Sequence, residues 1–304
     1  MPFATVSSNC LIKKKKKSLP TRTKPNTPLR VAVVEGEGCS FRCVIETVAA
    51  LNGRRFLLEP LDIARLSRDK SCLDDIDILV MPGGDDDENL AAGWGRGQRA
   101  ALGSDGRALI RNRLRSGELR MYVGICAGAF LASNKKGNLN IAPAVSVFKE
   151  RHFGIEDVRG FVNLSTKPCP PSIRSIMERW NVGRGLRFDQ SLAMAVNPLL
   201  GTTKVLASYA STVVLDADCN PSEAYTDTAA ASLQGTAAVT RSVFGHGEVL
   251  LVGPHPELSG DFKASGFKSL IVRMLHLGSH SKGKPCWKSE KRAYQTSRAS
   301  WFLR

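Results

Sequence analysis

Short, continuously apolar runs alternate with longer stretches of helical spacing through the first half of the chain. Arg30-Val31-Ala32-Val33-Val34 reads as a buried strand, and Glu35-Gly36-Glu37-Gly38 as the turn that ends it. Ser40 is placed as the N-cap of a helix reaching about Leu51. Ile76 to Met81 reads as a second buried strand ending at Pro82-Gly83-Gly84. A loop rich in Asp and Gly (Asp85 to Gly97), a basic helix around residues 107–116 and a third strand, Met121 to Ile125, follow. Strands that are apolar at every position, separated by helices, predict a parallel sheet covered on both faces. The second half is richer in strands: Lys204–Tyr209, Thr236–Thr240 and Glu248–Val252, with a tight turn at His246-Gly247 between the last two. Residues 262–277 have helical spacing and close the domain.

With 304 residues, the chain is long enough for one large α/β domain or two small ones. The apolar pattern assigns residues 30–278 to the folded unit and leaves 1–29 and 279–304 as tails expected to be disordered. Charge sharpens this division. Of the net +15, +8 lies in residues 1–30 and +6 in residues 279–304, so about +1 remains for the folded part. A positive sum that sits in tails argues against nucleic-acid binding by the domain itself, leaving only the tails for that role. The Lys13–Lys17 block suits a nuclear address, and the acid-free first 34 residues suit an organelle transit peptide. No apolar run approaches the roughly 18 residues that span a bilayer, and no secretory pattern is present. The chain is therefore expected to be soluble and intracellular, cytoplasmic unless the basic N-terminal tail directs it elsewhere, with no membrane partner. Eight irregularly spaced cysteines without a CxxC pair are expected as free thiols.

Candidate chemistry lies at the strand ends. Gly124-Ile125-Cys126-Ala127-Gly128, directly after a strand and before Ala129-Phe130-Leu131-Ala132, has the form of a nucleophile elbow with cysteine in place of serine. A strained turn explains the glycines at ±2, and a helix N-terminus favours the thiolate. A thiolate nucleophile needs a base, and the base an orienting acceptor. His255 meets that need best, because it follows the Glu248–Val252 strand between two prolines and Glu257 stands two residues on. Gly83 and Gly84 end a strand where ligands bind in open α/β sheets, and their amides join that of Ala127 as oxyanion donors. Asp85-Asp86-Asp87-Glu88 reads as a solvated acidic loop rather than a metal site. Cys39 and Cys43 could share a helix face, but two further ligands are missing from the sequence, so neither metal nor cofactor is expected.

The three motifs, in this order, resemble the class I glutamine amidotransferase superfamily. The closer resemblance is to the amidotransferase-like domain at the N-terminus of eukaryotic biotin-protein ligases, which also occurs as a stand-alone protein. It is carried by Val80-Met81-Pro82-Gly83-Gly84-Asp85, by Gly124 to Phe130, and by Gly247 to Glu257, and it spans about residues 30–277. It implies a flavodoxin-like three-layer sandwich with a mostly parallel central sheet. Cys126 would be the nucleophile, His255 the base and Glu257 its orienter; Gly83, Gly84 and Ala127 would line the oxyanion hole, and Asp85 and Phe130 the substrate pocket. The implied reaction is hydrolysis of, or transfer from, a small amide through a thioester. The alternative is a catalytically silent binding or regulatory module acting on a ligand or a protein partner. One departure bears on that choice: glutaminases of this family commonly carry Gln where this chain has Phe130. Neither a synthase nor a biotin-ligase domain is read in the sequence.

Overall fold

A computed structural model describes residues 27–84, 96–146, 159–189, 191–196, 203–216 and 233–278. Residues 1–26 of the expected tail 1–29, the tail 279–304 and the Asp85–Glu88 loop lie outside the described residues; Leu29 already belongs to the first strand. In chain order the first elements are β1 (Leu29–Glu35), α1 (Phe41–Leu51), β2 (Phe56–Asp62), α2 (Arg65–Arg68) and β3 (Ile78–Met81). These are followed by α3 (Arg96–Ser116), β4 (Met121–Ile125), α4 (Ala127–Ala132) and β5 (Ala144–Ser146). The second half contributes β6 (Arg159–Val162), β7 (Leu164–Ser165), α5 (Pro171–Glu178), β8 (Leu186–Asp189), β9 (Met194–Val196), β10 (Lys204–Tyr209) and β11 (Val214–Leu215). The chain then forms β12 (Ala237–Phe244), β13 (Gly247–Val252) and α6 (Asp261–Gly278).

Five strands in the order β2-β1-β3-β4-β13 are joined in parallel. This is the 2-1-3-4-5 order of a flavodoxin-like sheet, with β13 in fifth place. β12, β10 and β7 continue the sheet in antiparallel pairings, and β9 and β5 branch from β12. All residues of β3, β4 and β13 are buried, as expected of strands covered on both faces. Helices α1 and α6 pack on each other, and α3 packs on α2 and α4. The protein is therefore an α/β layered domain with a mostly parallel central sheet, as its motifs implied.

The differences from the sequence reading have local causes. β2 was not expected because Glu59 and Pro60 interrupt its apolar run. It is the edge strand, where a missing N–H costs nothing to the ladder. Residues 96–116 form two helical stretches joined at Gly103, which has φ 58° and ψ −172°, so only the second corresponds to the expected basic helix. Ser40 precedes α1, but its side chain makes no capping bond. The β12–β13 hairpin turns at Gly245-His246, and Gly247 is already paired with Phe244. A small second sheet, β11-β6-β8, was not expected at all. Its strands are two to four residues long, too short to leave a readable period.

Candidate functional site

Register brings the three sequence motifs together. Ile125 of β4 pairs with Val252 of β13, and Gly124 pairs with Met81 of β3. The residues that follow these strands therefore emerge side by side at the carboxyl edge of the sheet. The Cys126 N–H donates to the Val252 carbonyl at 2.9 Å, which fixes the elbow to the strand that delivers His255.

Cys126 has φ 48° and ψ −108°, a strained conformation for a residue with a side chain. The flanking glycines have steric reasons. A Cβ on Gly128 would stand 2.1 Å from the Met81 carbonyl oxygen, and one on Gly124 would stand 2.6 Å from the Gly128 carbonyl oxygen. The Tyr122 hydroxyl, in the buried centre of β4, donates to that same Gly128 carbonyl at 2.7 Å. Helix α4 is only six residues long. The charged neighbour of the thiol is thus His255 rather than a long helix's dipole.

His255 and Glu257 are both buried, and Nδ1 of His255 lies 2.7 Å from Oε1 of Glu257. That contact orients the ring and leaves Nε2 to exchange a proton. Cys126 lies close enough to the His255 imidazole to act on it by charge and by side-chain hydrogen bonding. Burial alone would push the His255 pKa down. The Glu257 carboxylate, then Cys126 by charge and hydrogen bond, then Cys43 outweigh it and hold the imidazole well above its usual value. The His255 N–H donates to the Arg187 carbonyl at 2.9 Å, and the Ser259 hydroxyl caps the His255 carbonyl at 2.5 Å. The first bond holds the segment to β8, as does the Arg187 N–H that donates to the Ser259 hydroxyl at 2.8 Å, so the small second sheet forms a wall of the site. The Asp189 carbonyl at the end of β8 is 3.9 Å from Sγ of Cys126.

The Pro82-Gly83-Gly84 loop is held from both sides. The Gly83 carbonyl accepts from Ser40 N–H at 3.0 Å, and the Pro82 carbonyl from Nε2 of buried Gln98 at 3.0 Å. A Cβ on Gly83 would meet Sγ of Cys43 at 2.8 Å and Cε1 of His255 at 2.9 Å; one on Gly84 would meet Cβ of Ala127 at 2.9 Å. Gly83 thus adjoins the imidazole and Gly84 adjoins the elbow. Phe130 is 4% exposed and belongs to the core, with Nζ of Lys135 5.1 Å above its ring. Asp85 lies outside the described residues.

Cys43 is a neighbour the sequence motifs did not suggest. On the first turn of α1 its Sγ reaches 3.9 Å from Nδ1 of His255, and its thiol, that nitrogen and a Glu257 oxygen all lie within 4.8 Å of one another. The four-residue spacing to Cys39 was a misleading signal. Cys39 precedes α1 and its thiol accepts from Gln98 Nε2 at 3.7 Å, with burial pushing its pKa up to about 12. Tyr209 also borders the site: its hydroxyl donates to the Leu192 carbonyl at 2.8 Å, and a Cβ on Gly253 would meet it at 2.6 Å. A glycine is therefore required just before Pro254-His255.

No protein-family model matches the chain, and no curated protein matches it. Solved structures with a similar fold include a β-galactosidase from Bacillus circulans sp. alkalophilus, at 12% identity and TM-score 0.46 over 82% of this chain. This chain covers 31% of that enzyme's length. A cytoplasmic protein of Salmonella typhimurium LT2 is similar at 9% identity and TM-score 0.47, over 82% of this chain and 99% of that one. A GMP synthase-like protein from Thermoplasma acidophilum is similar at 14% identity and TM-score 0.42, over 83% and 98%. Among the described residues, no helix is long and apolar enough to cross a membrane.

Proposed function

We propose that this protein is a class I glutamine amidotransferase-like hydrolase or transferase, related in its motifs to the amidotransferase-like domain of biotin-protein ligases. It acts on a small amide through a Cys126 thioester. The observation that carries the reading is Cys126, strained at φ 48° on the elbow and tied by its N–H at 2.9 Å to the strand that delivers His255, whose ring is oriented by a buried carboxylate at 2.7 Å.

The reaction follows from these positions. His255 takes the Cys126 proton, and the thiolate attacks the amide carbonyl carbon. The carbonyl oxygen gains the displaced electron pair and is received by the amides of Gly84 and Ala127, with Gly83 beside them. The protonated imidazole gives its proton to the leaving nitrogen as the C–N bond breaks, releasing ammonia or an amine and leaving the thioester. A water, deprotonated by His255, then attacks the thioester. The acid leaves and the proton returns to Cys126. Glu257 keeps the ring in place and balances the imidazolium throughout.

Phe130 favours a second reading on one point. Where the family commonly offers a hydrogen-bonding Gln, this chain offers a buried ring, so glutamine itself would be held less well. A binding or regulatory module with a preserved site would tolerate that change. Labelling with a glutamine-analogue chloroketone, followed by mapping of the adduct, separates the readings. An adduct on Cys126 supports the nucleophile and the amide substrate class together. Partner binding that survives Cys126→Ala, with no Cys126-dependent turnover of an amide library, would replace the hydrolytic reading with the binding one.

A further inference from the structure

The groups around Nδ1 of His255 are more numerous than a proton relay requires. On that side of the ring stand the Glu257 carboxylate at 2.7 Å and the Cys43 thiol at 3.9 Å, all buried. Only one carboxylate oxygen is used by the ring. The other, Oε2, is buried and has no hydrogen-bond partner among the described residues. A buried orphaned carboxylate oxygen is costly. Gly83 leaves the gap between thiol and ring open, because any side chain there would fill it. Thiolate, imidazole and carboxylate within 4.8 Å of one another form a donor set suited to zinc.

We propose that Cys43, His255 and Glu257 form a buried zinc site at the Nδ1 edge of the imidazole. The dimensions support it. Tetrahedral zinc sets sulfur and nitrogen ligands roughly 3.6 Å apart and nitrogen and oxygen ligands roughly 3.3 Å apart. The present 3.9 Å and 2.7 Å reach those values with side-chain shifts of about half an ångström, and the Cys43 sulfur and Glu257 oxygen, now within 4.8 Å of each other, must stand roughly 3.6 Å apart. Zinc replaces the proton on Nδ1 and the proton on the Cys43 thiol, and both are released to solvent. A groove of about 500 Å³ lined by Arg42, Glu46, Asp261, Lys268 and Glu257 runs between α1 and α6 and reaches the Glu257 end of the cluster. The Glu257 carboxylate itself is 0% exposed, so metal entry requires a local opening at that end of the groove. Metal and the His255–Glu257 hydrogen bond are mutually exclusive, since both use Nδ1. Bound zinc therefore withdraws the base from its orienter, and that inhibitory consequence rests on the hydrolytic reading above. The metal site itself does not.

The test is cobalt(II) titration of the full chain under reducing conditions, read by absorption. One equivalent is expected to give thiolate-to-cobalt charge transfer in the near ultraviolet and tetrahedral bands in the visible, both erased by zinc. Cys43→Ser should remove the charge transfer and weaken binding at least about tenfold, whereas Cys126→Ala should retain both. X-ray absorption of zinc-loaded wild-type protein needs no variant and should show one sulfur with nitrogen and oxygen neighbours. Absence of the band in wild type, an unchanged band in Cys43→Ser, loss of the band in Cys126→Ala alone, or a shell with two or more sulfurs would each overturn the site. A Cys43-dependent band in a protein without Cys126-dependent turnover would uphold the site while removing the hydrolytic reading.

Discussion

Glu257 holds Oε1 2.7 Å from Nδ1 of His255 in a space where the carboxylate side chain is 0% exposed. The pair is buried with its charge compensated. Glu257→Gln preserves shape but offers an amide, which cannot balance an imidazolium and can invert the ring's tautomer. If the triad works as proposed, amide turnover should fall roughly 10²–10⁴-fold in kcat with little change in KM. Steady-state kinetics checks this, and an unchanged kcat would remove Glu257 from the mechanism.

A protonated imidazole at His255 is a positive charge beside Cys126, and such a charge favours the thiolate. A free cysteine with pKa about 8.5 is only about 0.3% thiolate at pH 6. Iodoacetamide should therefore alkylate Cys126 at pH 6 at least about tenfold faster than free cysteine. His255→Asn should remove the difference. Mass-resolved labelling rates decide it, and a rate no greater than that of free cysteine would end the activated-nucleophile reading.

Gly128 faces the Met81 carbonyl so closely that an alanine Cβ would stand 2.1 Å from its oxygen. Gly128→Ala must push α4 off β3, and the expected loss is about 3 kcal/mol or more. Gly183→Ala provides the contrast. Its φ is 72° but nothing lies within 4 Å, so only backbone strain of about 1 kcal/mol applies. Denaturant midpoints at constant slope test the pair. Equal losses would show that the elbow's glycine is not sterically demanded.

His255 also links stability to pH. Its native pKa is raised well above its usual value, so the native state holds this proton more tightly than the unfolded chain does. The contribution is complete below about pH 6.5 and is lost as pH rises through the native pKa, at up to about 1.4 kcal/mol per unit. Thermal midpoints should fall with rising pH across that window. Cys126→Ala, which removes one of the groups raising the pKa, should make the fall end at a lower pH and be smaller in total.

The parallel core was legible because its strands carry the strongest local signal: Val31 to Val34, Val80-Met81, Met121 to Ile125 and Val249 to Val252 are buried at nearly every position. The elbow was legible because a side chain at φ 48° requires small neighbours, and that requirement is written as glycines two residues either side. β2 and the β11-β6-β8 sheet were not legible. A proline on an edge strand and strands of two to four residues leave no period, and only their pairing partners make them strands.

Local sequence by itself determined which strands are buried, where the chain must turn, and that Cys126 sits on a strained elbow while Glu257 can reach His255. These depend on a few neighbouring residues and the geometry of the backbone. Tertiary structure decided that Ile125 pairs with Val252, which sets His255 against Cys126, and that Cys43 reaches His255 across 212 residues. It also gave Cys39 a hydrogen bond from Gln98, 59 residues away, and placed Phe130 in the core. Those outcomes are set by sheet register and helix packing, which depend on residues far apart in the chain.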